Sequence, residues 1–190
     1  MNEIQLIRAQ LQVERERAQA IAATCSAALA QASSAALSSA SPLEQFRQAC
    51  VDYLVCVLAW FEERDRRLAG LLDRYDPHDP TRDALDAALS QPGRSRDALE
   101  KLEAAFAATT AGAPRWQEFA HYISGPWRTR REALESLLAP GARTLEWRTV
   151  SGIDADAMLE ERSRFARVNA TLPPGLALAA VRRAPGGARA

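Results

Sequence analysis

Two acidic residues fall where helical spacing calls for apolar ones. Glu14 lies between Leu11 and Ala18 on the stripe Ile4, Ile7, Leu11, Ala18, Ile21, Cys25 and Leu29, and Asp65 lies between Phe61 and Leu68. A buried carboxylate is costly unless a cation or a metal answers it. An arginine opposite each is one answer, in a chain rich in arginine; a drift of the stripe that lets the group reach solvent is a second, and a divalent metal a third. Glu118-x-x-His121 adds a carboxylate and an imidazole on neighbouring turns of one helix, the spacing that di-metal carboxylate bundles use on two helices. One copy is present, and Glu62-x-x-Asp65 supplies a second only with a carboxylate in place of the imidazole.

Other chemistry is sparse. The chain has two histidines, and neither accompanies a nucleophile motif, so no Ser/His/Asp set assembles and the reading is non-enzymatic. His78 sits in Asp76-Pro77-His78-Asp79, a polar turn explained by capping and chain reversal. There is no GxGxxG or P-loop to cradle a nucleotide phosphate. Cys25, Cys50 and Cys56 fit no metal or CxxC spacing and are expected to be reduced, buried thiols of a cytoplasmic protein. Arg64, Arg66 and Arg67, and again Arg128, Arg130 and Arg131, are interleaved with Glu62, Glu63, Asp65, Glu132 and Glu135. That spacing predicts ion pairs within each helix and a solvated face. Trp60, Trp116, Trp127 and Trp147 are expected to serve as core, with a ring-lined pocket for a small hydrophobic ligand as the alternative.

The elements that must hold these residues are helices. Period-3.6 patterns dominate and strand alternation is nearly absent. The first helix runs from about Glu3 to the low thirties. Ser41-Pro42-Leu43-Glu44 reads as a cap, a first-turn proline and a capping box opening a second helix to about Tyr75. The middle of that helix is apolar nearly all round, which predicts neighbours on several sides. Asp79 and Pro80 open a short helix through Leu89, and Ser95 caps another to about Thr110. Pro114 opens a further one carrying Trp116, Phe119, Ile123, Trp127, Leu134 and Leu138, which Gly125-Pro126 should kink or split. An irregular stretch follows from Arg143 to Gly152, and a last helix, capped by Asp154, presents Met158, Phe165 and Val168.

The predicted fold is all-α: an up-and-down four-helix bundle with an additional short helix and a C-terminal helix. Residues 1–170 form one domain and 171–190 a flexible tail. With 24 basic and 24 acidic residues the chain has no net charge, so no field draws it to nucleic acid or to an anionic membrane. The longest apolar run, Val51 to Phe61, is far short of the ~20 residues of a membrane span, and the N-terminus has no secretory pattern.

This arrangement resembles the hemerythrin-like (HHE cation-binding) bundles. Leu11-Gln12-Val13-Glu14-Arg15 stands where that family has an acidic-histidine pair on its first helix. Leu58-Ala59-Trp60-Phe61-Glu62-Glu63, leading to Leu68, Leu71 and Leu72, stands in place of the second motif, and Arg128-Thr129-Arg130-Arg131-Glu132, leading to Leu134, Leu137 and Leu138, in place of the last. The resemblance covers about Ile4 to Pro140. Glu14, Glu62 and Glu132 match ligand-type positions, while Arg15, Leu58 and Arg128 occupy the histidine places. The resemblance thus implies the family's bundle without its imidazoles. The expected function is non-enzymatic binding of a protein partner or of a second copy as a homo-oligomer, with no cofactor. The alternative is a carboxylate-rich site for iron or another divalent metal, built from Glu14, Glu62, Asp65, Glu118, His121 and Glu132.

Overall fold

Helix starts and stops follow the backbone chemistry of a few residues. The computed structural model describes residues 3–32, 41–74, 78–107, 112–138 and 144–178, and among these all regular structure is helical. The first two helices are α1 (Glu3–Gln31) and α2 (Pro42–Leu72). Ser41 holds an extended backbone and its hydroxyl accepts the Glu44 N–H at 3.1 Å. The return bond of a capping box gives way to a stronger partner: the Glu44 carboxylate takes Arg47 as a fork, 2.7 Å at each oxygen. α2 ends at Leu72; Tyr75, the expected end, lies outside the described residues.

α3 (Pro80–Ser90) is capped by Asp79, whose carboxylate accepts the Thr81 N–H at 2.8 Å. α4 (Ser95–Ala107) starts one residue earlier in the turn than Ser95 predicts. The Ala98 N–H returns to the Arg94 carbonyl at 3.2 Å, so Ser95 is already inside the first turn and its hydroxyl accepts Trp127 Nε1 instead, at 3.1 Å. The expected extension to Thr110 lies outside the described residues.

Gly125-Pro126 widens its helix without ending it. α5 (Gly112–Tyr122) runs through a π-helical turn, Ile123–Trp127, directly into α6 (Arg128–Ser136). Pro126 has no N–H to give, and such a wide turn is a usual response. The Ser124 hydroxyl donates to the carbonyls of Ala120 and His121, at 2.9 and 3.3 Å, and the Thr129 hydroxyl donates to that of Gly125 at 3.1 Å. Gly93 lies against this turn with φ of +102°, and a Cβ there would come within 2.2 Å of the Pro126 carbonyl oxygen. Only glycine fits both the angle and the approach.

The stretch expected to be irregular contains a helix, α7 (Thr144–Ser151). It is too short to stand alone and is fixed by its neighbours. Val150 is buried, Trp147 packs on both apolar clusters, and the Thr149 and Ser151 carbonyls accept Arg67 and Arg64, at 3.1 and 2.6 Å. α8 (Ala155–Ala170) follows, with Asp154 accepting the Ala157 N–H at 2.8 Å.

α1 packs along α2 and α5, and α4 packs along the same two helices. Phe46, Tyr53, Leu54, Leu58, Phe61, Trp116, Phe119 and Trp127 fill the space between them. A second cluster, Leu68, Leu71, Leu85, Ala88, Leu134 and Val150, joins the end of α2 to α3, α6 and α7. α8 lies on α2. Leu172, Leu176 and Leu178, in the stretch expected to be a flexible tail, pack on the main core, and residues 179–190 lie outside the described part. Among the described residues no helix is long and apolar enough to cross a membrane.

Candidate functional site

The interior of this protein is built around arginine. Arg15, Arg17, Arg64, Arg130 and Arg131 are all buried, as are Glu14, Asp65, Glu135 and Glu161. The five guanidinium groups and four carboxylates are brought to balance by Glu132, whose side chain is 44% exposed. Arg64, Arg130 and Arg131 therefore correct the expectation of a solvated arginine face. Only part of each cluster behaves as expected: Glu63 pairs with Arg66 and Arg67, and Glu132 with Arg128, along the outside of their helices. Hydrogen bonds from Arg66 and Arg67 hold the Glu63 carboxyl below its ordinary range.

Glu14 and Asp65 face inward, as the apolar stripes require, and arginine answers both. Arg64 donates to Glu14 at 2.7 Å, Gln10 adds a bond at 3.2 Å, and the Arg64 Nε continues to the Ser151 carbonyl. Asp65 Oδ2 takes Arg131 at 2.6 Å and Arg130 at 3.4 Å. Arg130 reaches past it to the carbonyls of Ala88, Leu89 and Gln91, closing the C-terminal end of α3. Burial pulls the Arg131 guanidinium below its ordinary pKa, with Asp65 opposing.

The other candidates are engaged separately. Glu132 Oε1 lies 2.8 Å from both Arg15 and Arg128, while Arg15 forks onto Glu135 at 3.1 Å through two nitrogens. Burial raises the Glu135 pKa against the pull of Arg15. Glu62 accepts the Arg96 N–H at 3.1 Å, so its carboxylate caps α4. Glu118 takes Lys101 at 2.8 Å, and that hydrogen bond lowers its pKa. His121 is exposed, in a groove between α1 and α5 with Ala23, Ala27 and Ala120. The five carboxylates of the carboxylate-metal reading are thus distributed among separate partners, and His121 lies apart from them in its groove. Among the described residues, no three of His, Cys, Asp and Glu are arranged to hold a metal ion.

Trp116 and Trp127 are fully buried, as expected of core residues, while Trp60 and Trp147 are half-buried and pack against that core. Trp127 meets Phe61 edge-on at 5.2 Å, and Trp116 meets Phe119 at 5.8 Å. Cys25 and Cys50 are fully buried and Cys56 is half-buried. Burial, with a hydrogen bond to Cys25, raises the Cys50 pKa.

Sequence reasoning misses the site's most enclosed acid. Glu161 has no exposed surface; its oxygens accept Arg17 at 2.5 Å and the Tyr53 hydroxyl at 2.7 Å. Burial, then Glu161, raises the Tyr53 pKa. The signal was present: Met158, Glu161, Phe165 and Val168 share one helical stripe. Glu161 occupies there the same position that Glu14 holds on the first helix.

Comparison with protein-family models, with curated proteins and with solved structures finds no match to this chain.

Proposed function

We propose that this chain is an up-and-down four-helix bundle of hemerythrin-like type, formed by α1, α2, α4 and the α5–α6 rod. In this reading it has lost its metal ligands and acts, without catalysis, by binding a protein partner or a second copy of itself. The observation that carries the reading is the ion pair from Arg15 to Glu132 at 2.8 Å. In the resemblance these are a histidine place on the first helix and a carboxylate place on the last. A guanidinium here satisfies electrostatically what a cation would satisfy, and it holds the two helices together. Arg64 plays the same part for Glu14. The Arg64–Glu14 pair is buried; such a pair adds little net stability, but losing either partner strands a charge, which in this reading favours one arrangement of the helices and suits a scaffold that presents a fixed surface.

Metal analysis of the protein purified without chelator tests the loss of ligands. Iron, manganese and zinc well below one equivalent per chain are expected; one or two equivalents, lost on substituting Glu14 and Glu132 together by Gln, would overturn the reading. Light scattering across a concentration series, with affinity capture by the tagged chain, tests the binding half. A strictly monomeric chain that captures nothing removes it.

A further inference from the structure

Two of the chain's three cysteines meet in the core. Arg64 of α2 meets Glu14 in the first half of α1 at 2.7 Å. About three turns further along α1 and four turns back along α2, Cys25 and Cys50 face each other, so the two helices run antiparallel. Each thiol lies on its helix's apolar stripe, Cys25 between Ile21 and Leu29 and Cys50 between Phe46 and Leu54, and all six side chains are buried in one cluster. Neither cysteine has exposed surface, and the two share a hydrogen bond. The remaining cysteine, Cys56, is half-exposed against Glu160 of α8, which leaves the pairing to the other two.

We propose that Cys25 and Cys50 are a redox fastener: a peroxide closes them to an intrachain disulfide that crosslinks α1 to α2, and a dithiol opens it again. Thiols in contact on neighbouring helices reach bonding geometry by side-chain rotation and a small backbone adjustment. The step balances with one hydrogen peroxide. One thiolate sulfur attacks a peroxide oxygen, the O–O bond breaks, and the departing hydroxide takes a proton to become water. The other sulfur displaces the hydroxyl from the resulting sulfenic acid, so that S–S forms, S–O breaks and a second water leaves. The sulfurs give two electrons to the peroxide, and both thiol protons leave in the waters. Burial and the neighbouring Cys25 hold the Cys50 thiol protonated, and only the thiolate attacks. The pair is therefore quiet while the core is closed, reacts when the α1–α2 seam opens, and answers sustained oxidation.

The full-length Cys56→Ser variant, which keeps only the pair, tests it with hydrogen peroxide as the probe. Thiol titration in denaturant should fall from two groups to none, with no crosslinked dimer on a non-reducing gel. Trypsin cuts after Arg17, Arg47 and Arg64, so residues 18–47 and 48–64 should emerge as one species that dithiothreitol separates. A disulfide restricts the unfolded chain, so the melting temperature of the oxidised protein should rise by about 5–15 °C and return on reduction. The parent chain carries the same test if Cys56→Ser fails to fold: with Cys56 first alkylated by iodoacetamide, peroxide should produce the same linked species. Both thiols recovered free, oxidised separately to sulfinic acids, or joined between chains overturns the proposal. So does a disulfide that leaves the melting temperature unmoved.

Discussion

Arg15 reaches from the first helix to Glu132, 117 positions along the chain, at 2.8 Å, and forks onto Glu135 one turn further along α6. One guanidinium thus ties α1 to two carboxylates of α6. The arrangement is asymmetric in its consequences: removing the cation strands a buried acid, while removing the whole group strands nothing.

Substitution Arg15→Met should therefore cost about 3–5 kcal/mol, the usual cost of breaking a buried pair from one side. The triple variant Arg15→Met/Glu132→Gln/Glu135→Leu should recover most of that loss. Urea unfolding of the set checks this. An additive loss across the three positions would show that the carboxylates contribute independently of Arg15.

A second test concerns the turn that packs on Pro126. Gly93→Ala places a methyl group 2.2 Å from the Pro126 carbonyl oxygen and forces an alanine to φ of +102°. Both effects destabilise, and together should cost about 2–4 kcal/mol. Gly70 lies inside α2, and a Cβ there meets nothing within 4 Å. Gly70→Ala should therefore stabilise by about 0.5–1 kcal/mol through helix propensity. The two variants moving in the same direction in chemical denaturation would refute the assigned geometry.

These positions also mark how much was legible in the residues alone. The starts of α2, α3 and α8 follow from Ser41, Asp79 and Asp154, because a cap is a local event between a side chain and an amide two or three residues on. The inward position of Glu14 and Asp65 follows from the 3.6 period. The partners do not, because Arg64, Arg130 and Arg131 come from other helices and charge spacing along one helix says nothing about what crosses it. α7 was missed for the same reason: its carbonyls are closed by Arg64 and Arg67 of α2. Glu62 has the residue type of a ligand, yet its role as a cap for α4 depends on a loop that spacing cannot place.

The Glu118 carboxyl offers a test at one residue. Its pKa is lowered from 4.5 chiefly by the hydrogen bond from Lys101. A folded pKa below the unfolded one means that this pair's contribution is present above about pH 4.5 and fades as the pH falls through the folded value. Lys101→Met should return the Glu118 carboxyl toward its ordinary range in an NMR titration, with little change in stability because the pair is exposed. A titration unmoved by the substitution would assign the shift to Arg115 instead.

Thiol reactivity gives the last prediction. Cys25 and Cys50 have no exposed surface, while Cys56 is half-exposed beside Glu160 and Arg164. Burial raises the Cys56 pKa from 9.0 to about 11. Only the thiolate is alkylated, so at pH 8 Cys56 should react with iodoacetamide about a hundredfold more slowly than a free thiol of pKa 9. The native protein should take up a single equivalent, and the rate should climb about tenfold per pH unit until it levels near pH 11. Glu160→Gln removes a neighbouring negative charge that favours the thiol, and leaves Arg164, which favours the thiolate, without its carboxylate partner. That variant should react faster at every pH below the plateau. Rates equal to those of a free thiol at pH 8, or no acceleration in Glu160→Gln, would show that the Cys56 side chain does not sit against α8 as described.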